Sequence, residues 1–144
     1  MHISQSRNVV DKPTVLLDEK LIDVASQGKI LGVEFSDTMS WHAQCDKVRG
    51  KLRGATYLFG KMRPRVSKGT LRVIYFAYVQ SNILYSLLIW GGSPYLNEVF
   101  AAQKRVLRAM AGVRYWKGLT PVETCRPLFK EYDILPVYSL YILE

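Results

Sequence analysis

Residues 73–90 form a run of eighteen positions without a charged side chain. Such a segment is stable only where its apolar surface leaves water, in a bilayer or between other elements of a protein core. Gln80, Ser81 and Asn82 stand together at its middle, with Ser86 a turn further on. Hydrocarbon penalises polar groups at that depth. Arg72 closes only one end, and Gly91-Gly92 closes the other. A helix buried in a protein core is therefore expected, and a membrane span is not. The rest of the chain must cover that helix. With 49% apolar residues in 144, it has the material for a core of one-domain size.

Spacing identifies the covering elements. The first 12 residues are polar and mixed, and are expected to be poorly ordered. Three short apolar runs, 14–17, 21–24 and 29–35, are separated by Asp18-Glu19-Lys20 and Ser26-Gln27-Gly28. They predict three strands: a hairpin, a three-stranded antiparallel sheet or the edge of a larger one. From Trp41 the period becomes helical. Trp41, Cys45, Val48, Leu52, Ala55, Phe59 and Met62 recur alternately four and three apart, a single apolar stripe. Ser40 stands where an N-cap belongs, and Pro64 ends the helix.

A second helix is predicted from about Ser67 to Trp90, apolar almost all round, with Tyr75, Phe76, Tyr78, Tyr85 and Trp90 in the core. Ser93-Pro94 supplies a cap and a first-turn proline for a third helix, which runs through Val99, Phe100, Val106, Leu107 and Met110 to a C′ glycine, Gly112. Thr120-Pro121-Val122-Glu123 is a capping box that starts a short fourth helix. A last helix begins near Pro136, and its end on an apolar run looks like a truncation. The expected fold is mainly α with a small β element: residues 13–36 form the β element, and 37–144 a bundle of three long and two short helices.

Charge is unevenly distributed. Residues 47–117 carry fourteen Lys or Arg against one acid, Glu98, whereas the segments on either side are net acidic. A block so poor in counter-charge repels itself unless a polyanion, an acidic partner or an anionic surface neutralises it. Cys45 and Cys125 are isolated thiols, and no secretory signal opens the chain. Reduced thiols in the cytoplasm or nucleus are expected, not secretion.

Catalytic constellations are missing. No adjacent aspartate pair, P-loop, GxGxxG or nucleophile elbow occurs. His42 and Cys45 share a helical face, but no second pair completes a metal site, so no metal and no cofactor are expected.

The cations fall in four clusters. On the first helix, at about 100° per residue, Asp46, Gly50, Arg53, Gly54 and Tyr57 lie opposite the apolar stripe. Lys47 with Lys51, and Arg49 with Arg53, flank that surface. Two exposed helical glycines cost about 1 kcal/mol each against alanine. Close approach of a nucleic-acid backbone would explain them, as would packing against another helix. Lys61, Arg63, Arg65 and Lys68 surround the first inter-helix turn. Lys104, Arg105 and Arg108 form the third cluster, with Gln103 beside them. Arg114 and Lys117 bracket Tyr115-Trp116, an aromatic pair suited to stacking on bases or to plugging a loop.

Several segments together resemble one family. Lys29-Ile30-Leu31-Gly32-Val33 with Met39-Ser40-Trp41-His42 after it is similar to the passage after the palm in reverse transcriptases of non-LTR (LINE-type, jockey-like) retrotransposons. So is the stretch 78–91, ending in Trp90-Gly91. The helix Gln103-Lys104-Arg105-Val106-Leu107-Arg108-Ala109-Met110-Ala111-Gly112 resembles that family's QK…R…G pattern, and Ile134-Leu135-Pro136 with Tyr138 resembles its continuation. Residues 28–144 are covered.

The resemblance implies a thumb that grips a template–primer duplex, with the strands before it the last of the palm. The family's aspartate pair lies upstream of the matching region and has no counterpart here. The Mg of the parent RNA-directed DNA polymerase accordingly has no ligands in this chain. A non-catalytic fragment is expected, with RNA or an RNA–DNA duplex as partner and a palm- and fingers-containing chain as a further one. A helical protein-interaction module or a transposon remnant is the alternative.

Overall fold

The computed structural model describes residues 15–17, 20–22, 25–113 and 125–144. The expected polar N-terminus (1–12) and the capping box at 120–123 lie outside these residues. The chain forms two compact units, Met1–Gln44 and Cys45–Glu144.

Among the described residues the first unit holds two separate antiparallel hairpins, in place of one three-stranded sheet. Strands β1 (Val15–Leu17) and β2 (Lys20–Ile22) pair with Leu16 opposite Leu21. Strands β3 (Gln27–Ile30) and β4 (Val33–Ser36) pair with Ile30 opposite Val33 and Lys29 opposite Glu34. The single strand expected over 29–35 is thus folded back on itself. Leu31 (φ 48°) and Gly32 (φ 83°) both take left-handed backbone. That is the requirement of a tight two-residue hairpin turn, whose twist matches the strands it joins.

Strand β4 is tied to residues 40–44. Ser36 Oγ accepts from Ser40 N at 2.8 Å, Gln44 Oε1 accepts from Glu34 N at 3.2 Å, and Trp41 meets Phe35 edge-on at 5.3 Å.

The second unit is helical. Helix α1 (His42–Met62) buries Cys45, Val48, Leu52, Ala55 and Phe59, five members of the predicted stripe. Pro64 falls in the 3-10 turn Arg63–Arg65 that ends it. Ser67 caps α2 (Lys68–Ile74), its hydroxyl accepting from Thr70 N at 3.2 Å.

The helix expected to run unbroken to Trp90 is interrupted twice. Tyr75–Gln80 is π-helical, α3 (Ser81–Leu84) comes next, and Ser86 (φ 59°) turns the chain before α4 (Leu87–Trp90). Leu71, Tyr75, Val79, Ile83 and Leu87, each four apart, are all buried. In a regular α-helix such a series drifts about 40° per step. The wider i→i+5 turn takes up part of that drift and keeps the series on the core. At the second break the Trp90 indole donates to Tyr85 O at 3.1 Å, satisfying the carbonyl that the turn frees.

Only one face of this run is covered, contrary to the all-round burial expected. Val73, Tyr78, Tyr85, Leu88 and Ile89 are exposed, so Tyr78 and Tyr85 are not core.

Helix α5 (Leu96–Ala111) begins later than Ser93-Pro94 predicted, because the Ser93 hydroxyl meets Cys45 Sγ at 3.6 Å and caps nothing. It ends at Gly112, φ 73°, as expected of a terminal glycine. Helices α6 (Arg126–Glu131) and α7 (Val137–Leu143) complete the unit. Gly91 is required by α7: a Cβ there would overlap the Tyr141 ring and Leu87 O.

Gln103 lies at the centre, fully buried. Its Nε2 donates to Tyr75 Oη at 2.8 Å and to Leu135 O at 2.9 Å, and its Oε1 accepts from Val137 N at 2.9 Å. One amide thus joins α5 to the π-helical turn and to the start of α7. Gln103→Ala leaves two buried groups, the Tyr75 hydroxyl and Val137 N, and the partly buried Leu135 carbonyl without this partner, and each unpaired buried group costs about 1–3 kcal/mol. Its denaturant midpoint is expected to fall by more than half, or the unit to be unfolded; a midpoint near that of the parent would refute the role.

Burial pushes the Tyr75 phenol up to about 12, even though its bond to Gln103 pulls the other way. Between pH of about 10 and 12 the folded state therefore holds a proton that the unfolded state has lost. The contribution is whole below about pH 10 and is lost as pH rises through about 12, a difference of about 2–3 kcal/mol. Tyr75→Phe removes it. Midpoints measured across that window should fall more steeply in the parent protein than in Tyr75→Phe, and equal slopes would contradict the assignment.

Candidate nucleic-acid interface

Three contacts set the relation of α1 to α5. Cys45 meets Ser93 near their starts, Arg49 donates to Glu98, and the Arg63 guanidinium lies against Gly112 at their ends. The partners advance together, so the two helices run side by side in the same direction. Their C-terminal ends coincide, and with them the partial negative charges of both backbones.

Lys61, Arg63 and Arg65 stand at that end, and Arg108 lies in the last turn of α5. This part of the predicted phosphate-binding cluster therefore also compensates two helix dipoles. Arg63 in addition fills the space a Cβ at Gly112 would need, so Gly112 is fixed by its positive φ and by that contact.

Midway along the pair lies a cavity of about 240 Å³ lined by Arg49, Arg53, Thr56 and Tyr57 from α1 and by Ala102 and Arg105 from α5. Arg49 is held from two sides, by Asp46 at 2.5 Å and by Glu98. Neither Arg53 nor Arg105 has an ion-pair partner among the described residues. Thr56 donates its hydroxyl proton to Leu52 O at 2.9 Å, which leaves the arginines as the cavity's charged donors, with the Tyr57 hydroxyl as a neutral one. Tyr57 is 70% exposed and carries Lys61 Nζ 5.6 Å from its ring centre.

Gly50 and Gly54 lie exposed on the same helix, and nothing stands within 4 Å of where their Cβ atoms would be. Among the described residues they face no other helix.

Other cations of the basic block, the predicted Lys51 and Lys68 among them, are engaged in the fold. Lys51 Nζ donates to Asn82 Oδ1 at 2.6 Å, and Asn82 in turn donates to Tyr78 O at 2.5 Å. Lys68 bonds Glu131 at 2.8 Å and lies 4.9 Å from the Tyr132 ring centre. Arg72 pairs with Asp133 and donates to Tyr132 O, both at 2.7 Å. Acids of the C-terminal segment thus neutralise part of the basic block from within the chain.

Lys104 lies 4.5 Å from the Phe100 ring centre. Its neighbour Arg105 joins Arg49 and Arg53, while Gln103 faces the core and takes no part in the cluster. Lys47 lies on α1 beside these cations, half-buried. Arg114 and Lys117, with Tyr115-Trp116, lie outside the described residues. Glu98 was not legible as part of the site, since nothing in the sequence pairs it with a residue 49 positions earlier.

Both cysteines are free and buried, and burial pushes the Cys45 thiol up. Among the described residues no group of three or more His, Cys, Asp or Glu could hold a metal ion, and no helix is long and apolar enough to cross a membrane. No family model matches the chain, and no curated protein or solved structure matches it.

The glycines allow a direct check. With open space at both positions, Gly50→Ala and Gly54→Ala should each stabilise the protein by about 0.5–1 kcal/mol in denaturant unfolding. A loss of stability at either position would show that the helix surface is not open there.

Proposed function

We propose that this chain binds an RNA or RNA–DNA duplex through its phosphates, as a non-catalytic piece resembling the thumb of a non-LTR retrotransposon reverse transcriptase. The observation that carries the reading is the convergence of Arg49, Arg53 and Arg105 on one cavity, beside a helix face kept bare by Gly50 and Gly54. Cations on two helices with an open backbone surface beside them suit a polyanion that approaches closely, and they read charge, not base sequence.

The segments that carry the family resemblance also meet one another. Gln103 bonds at Leu135 and Val137, and Gly91 makes room for Tyr141. The reading requires these segments to pack as one unit, and they do. The acids Asp46, Glu98, Glu131 and Asp133 each already bind a cation, which favours grip over metal-assisted synthesis. Synthesis would then depend on a palm- and fingers-containing partner chain.

Affinity for a short hybrid duplex, measured by fluorescence anisotropy, should fall steeply with salt. Between about 50 and 200 mM, six phosphate contacts would lose about a thousandfold. Arg53→Gln should weaken binding to unrelated sequences alike and lower the salt slope by about one. Affinity that stays flat with salt would overturn the proposal.

A second reading, a helical module that docks a protein, is favoured by the exposed Val73, Tyr78, Leu88 and Ile89. Charge substitutions there, such as Leu88→Lys, leave duplex binding unchanged if the first reading holds.

A further inference from the structure

We infer that the cavity between α1 and α5 seats the terminal phosphate monoester of a nucleic-acid strand, with Tyr57 at its rim receiving the terminal nucleoside. This rests on the nucleic-acid reading above and adds what that reading leaves open, the part of the strand that is recognised.

Shape is the first ground. A strand's internal backbone runs past a protein surface and is met by cations along a ridge or groove. A cavity suits a group that ends. At about 240 Å³ it is smaller than the ~300–1,000 Å³ of sites that enclose a drug-sized molecule, so it takes an anionic head and leaves the remainder outside.

Charge is the second. Arg49 is set in place by Asp46 and Glu98, whereas Arg53 and Arg105 bring two positive charges with no carboxylate opposite them among the described residues. An internal phosphodiester offers one negative charge. A phosphate monoester carries about −1.5 to −2 and three terminal oxygens, which matches two unopposed guanidinium forks coming from different helices. Ala102 contributes only a methyl group to the wall and so leaves the space between the arginines clear.

The third ground is Tyr57. A tyrosine 70% exposed on a cationic rim presents a ring on which a base can stack whatever its identity. Its placement at the cavity mouth puts that ring where the nucleoside next to a seated phosphate would lie.

The test compares short RNA–DNA hybrid duplexes in which one strand carries a phosphate at its 5′ end, at its 3′ end or at neither, each labelled at an end without phosphate or internally, by fluorescence anisotropy at fixed salt. One phosphorylated end should bind about tenfold more tightly than the hydroxyl-ended duplex. That preference should vanish in the double variant Arg53→Gln/Arg105→Gln and shrink in Tyr57→Ala, with circular dichroism and unfolding midpoint unchanged.

Equal affinity for all three duplexes overturns the end-binding site. If that equal binding is salt-dependent, duplex grip still stands. Failure of every duplex to bind overturns both. A preference that survives in the double variant places the end elsewhere and overturns the assignment to this cavity. Adenosine monophosphate serves as competitor. Removal of only the phosphate-dependent increment, at concentrations well above those of the duplex, supports the site. Binding as tight as the duplex's own makes it a site for free nucleotide and overturns strand-end recognition.

Discussion

The helical unit depends on one buried amide. Gln103 sits in a core otherwise almost wholly apolar, and its two donors and its acceptor are matched by Tyr75, Leu135 and Val137. An amide in such a place is costly unless satisfied, and once satisfied it permits few alternative arrangements. The bond to Tyr75 fixes which residues of the charge-free run face inward. The bonds to Leu135 and Val137 place the start of α7, after which Tyr141 can settle on Gly91. Apolar packing supplies most of the burial energy, but it is indifferent to small slides of one helix along another. The amide is not.

Charge is arranged around that core in three ways, and the distinction bears on function. Lys68 and Arg72 are balanced by Glu131 and Asp133. Lys61, Arg63, Arg65 and Arg108 gather where two parallel helices end, and offset the unfavourable alignment of their dipoles. Neither group needs an external polyanion to explain it, although exposed members remain able to meet one. The count of fourteen cations in residues 47–117 therefore overstates the charge left for a partner.

Much of the helical architecture was legible because it rests on local rules. The alternating stripe of α1, the start of the second helix near Ser67 and the terminal Gly112 each depend on residues a few positions apart. What escaped depends on partners far away in the chain. The run over 29–35 is apolar enough for a strand, and only the paired left-handed residues Leu31 and Gly32 turn it into a hairpin. Ser93 has the chemistry of a cap but meets Cys45. Charge-free composition suggested burial all round for 73–90, yet composition does not count how many neighbours exist to cover a helix, and one face stays exposed. For the site, wheel geometry brought Arg49 and Arg53 together on α1. That Arg105 and not Lys104 joins them required knowing that α5 lies parallel to α1.

That parallel arrangement also explains why the middle of the pair is the place to look for a ligand. At the helix ends, side-chain charge has a structural use against the backbone dipoles, which act only within the first and last turn. Halfway along, backbone hydrogen bonds are satisfied and the dipoles offer nothing for a cation to offset. Arg49 is accounted for there by Asp46 and Glu98. Arg53 and Arg105 have no ion-pair partner there among the described residues, and both are exposed, so water and salt screen their mutual repulsion. An anion seated as proposed would meet the two guanidinium groups that no ion pair engages among the described residues, so the cavity is where the positive charge left over by the fold can be tested.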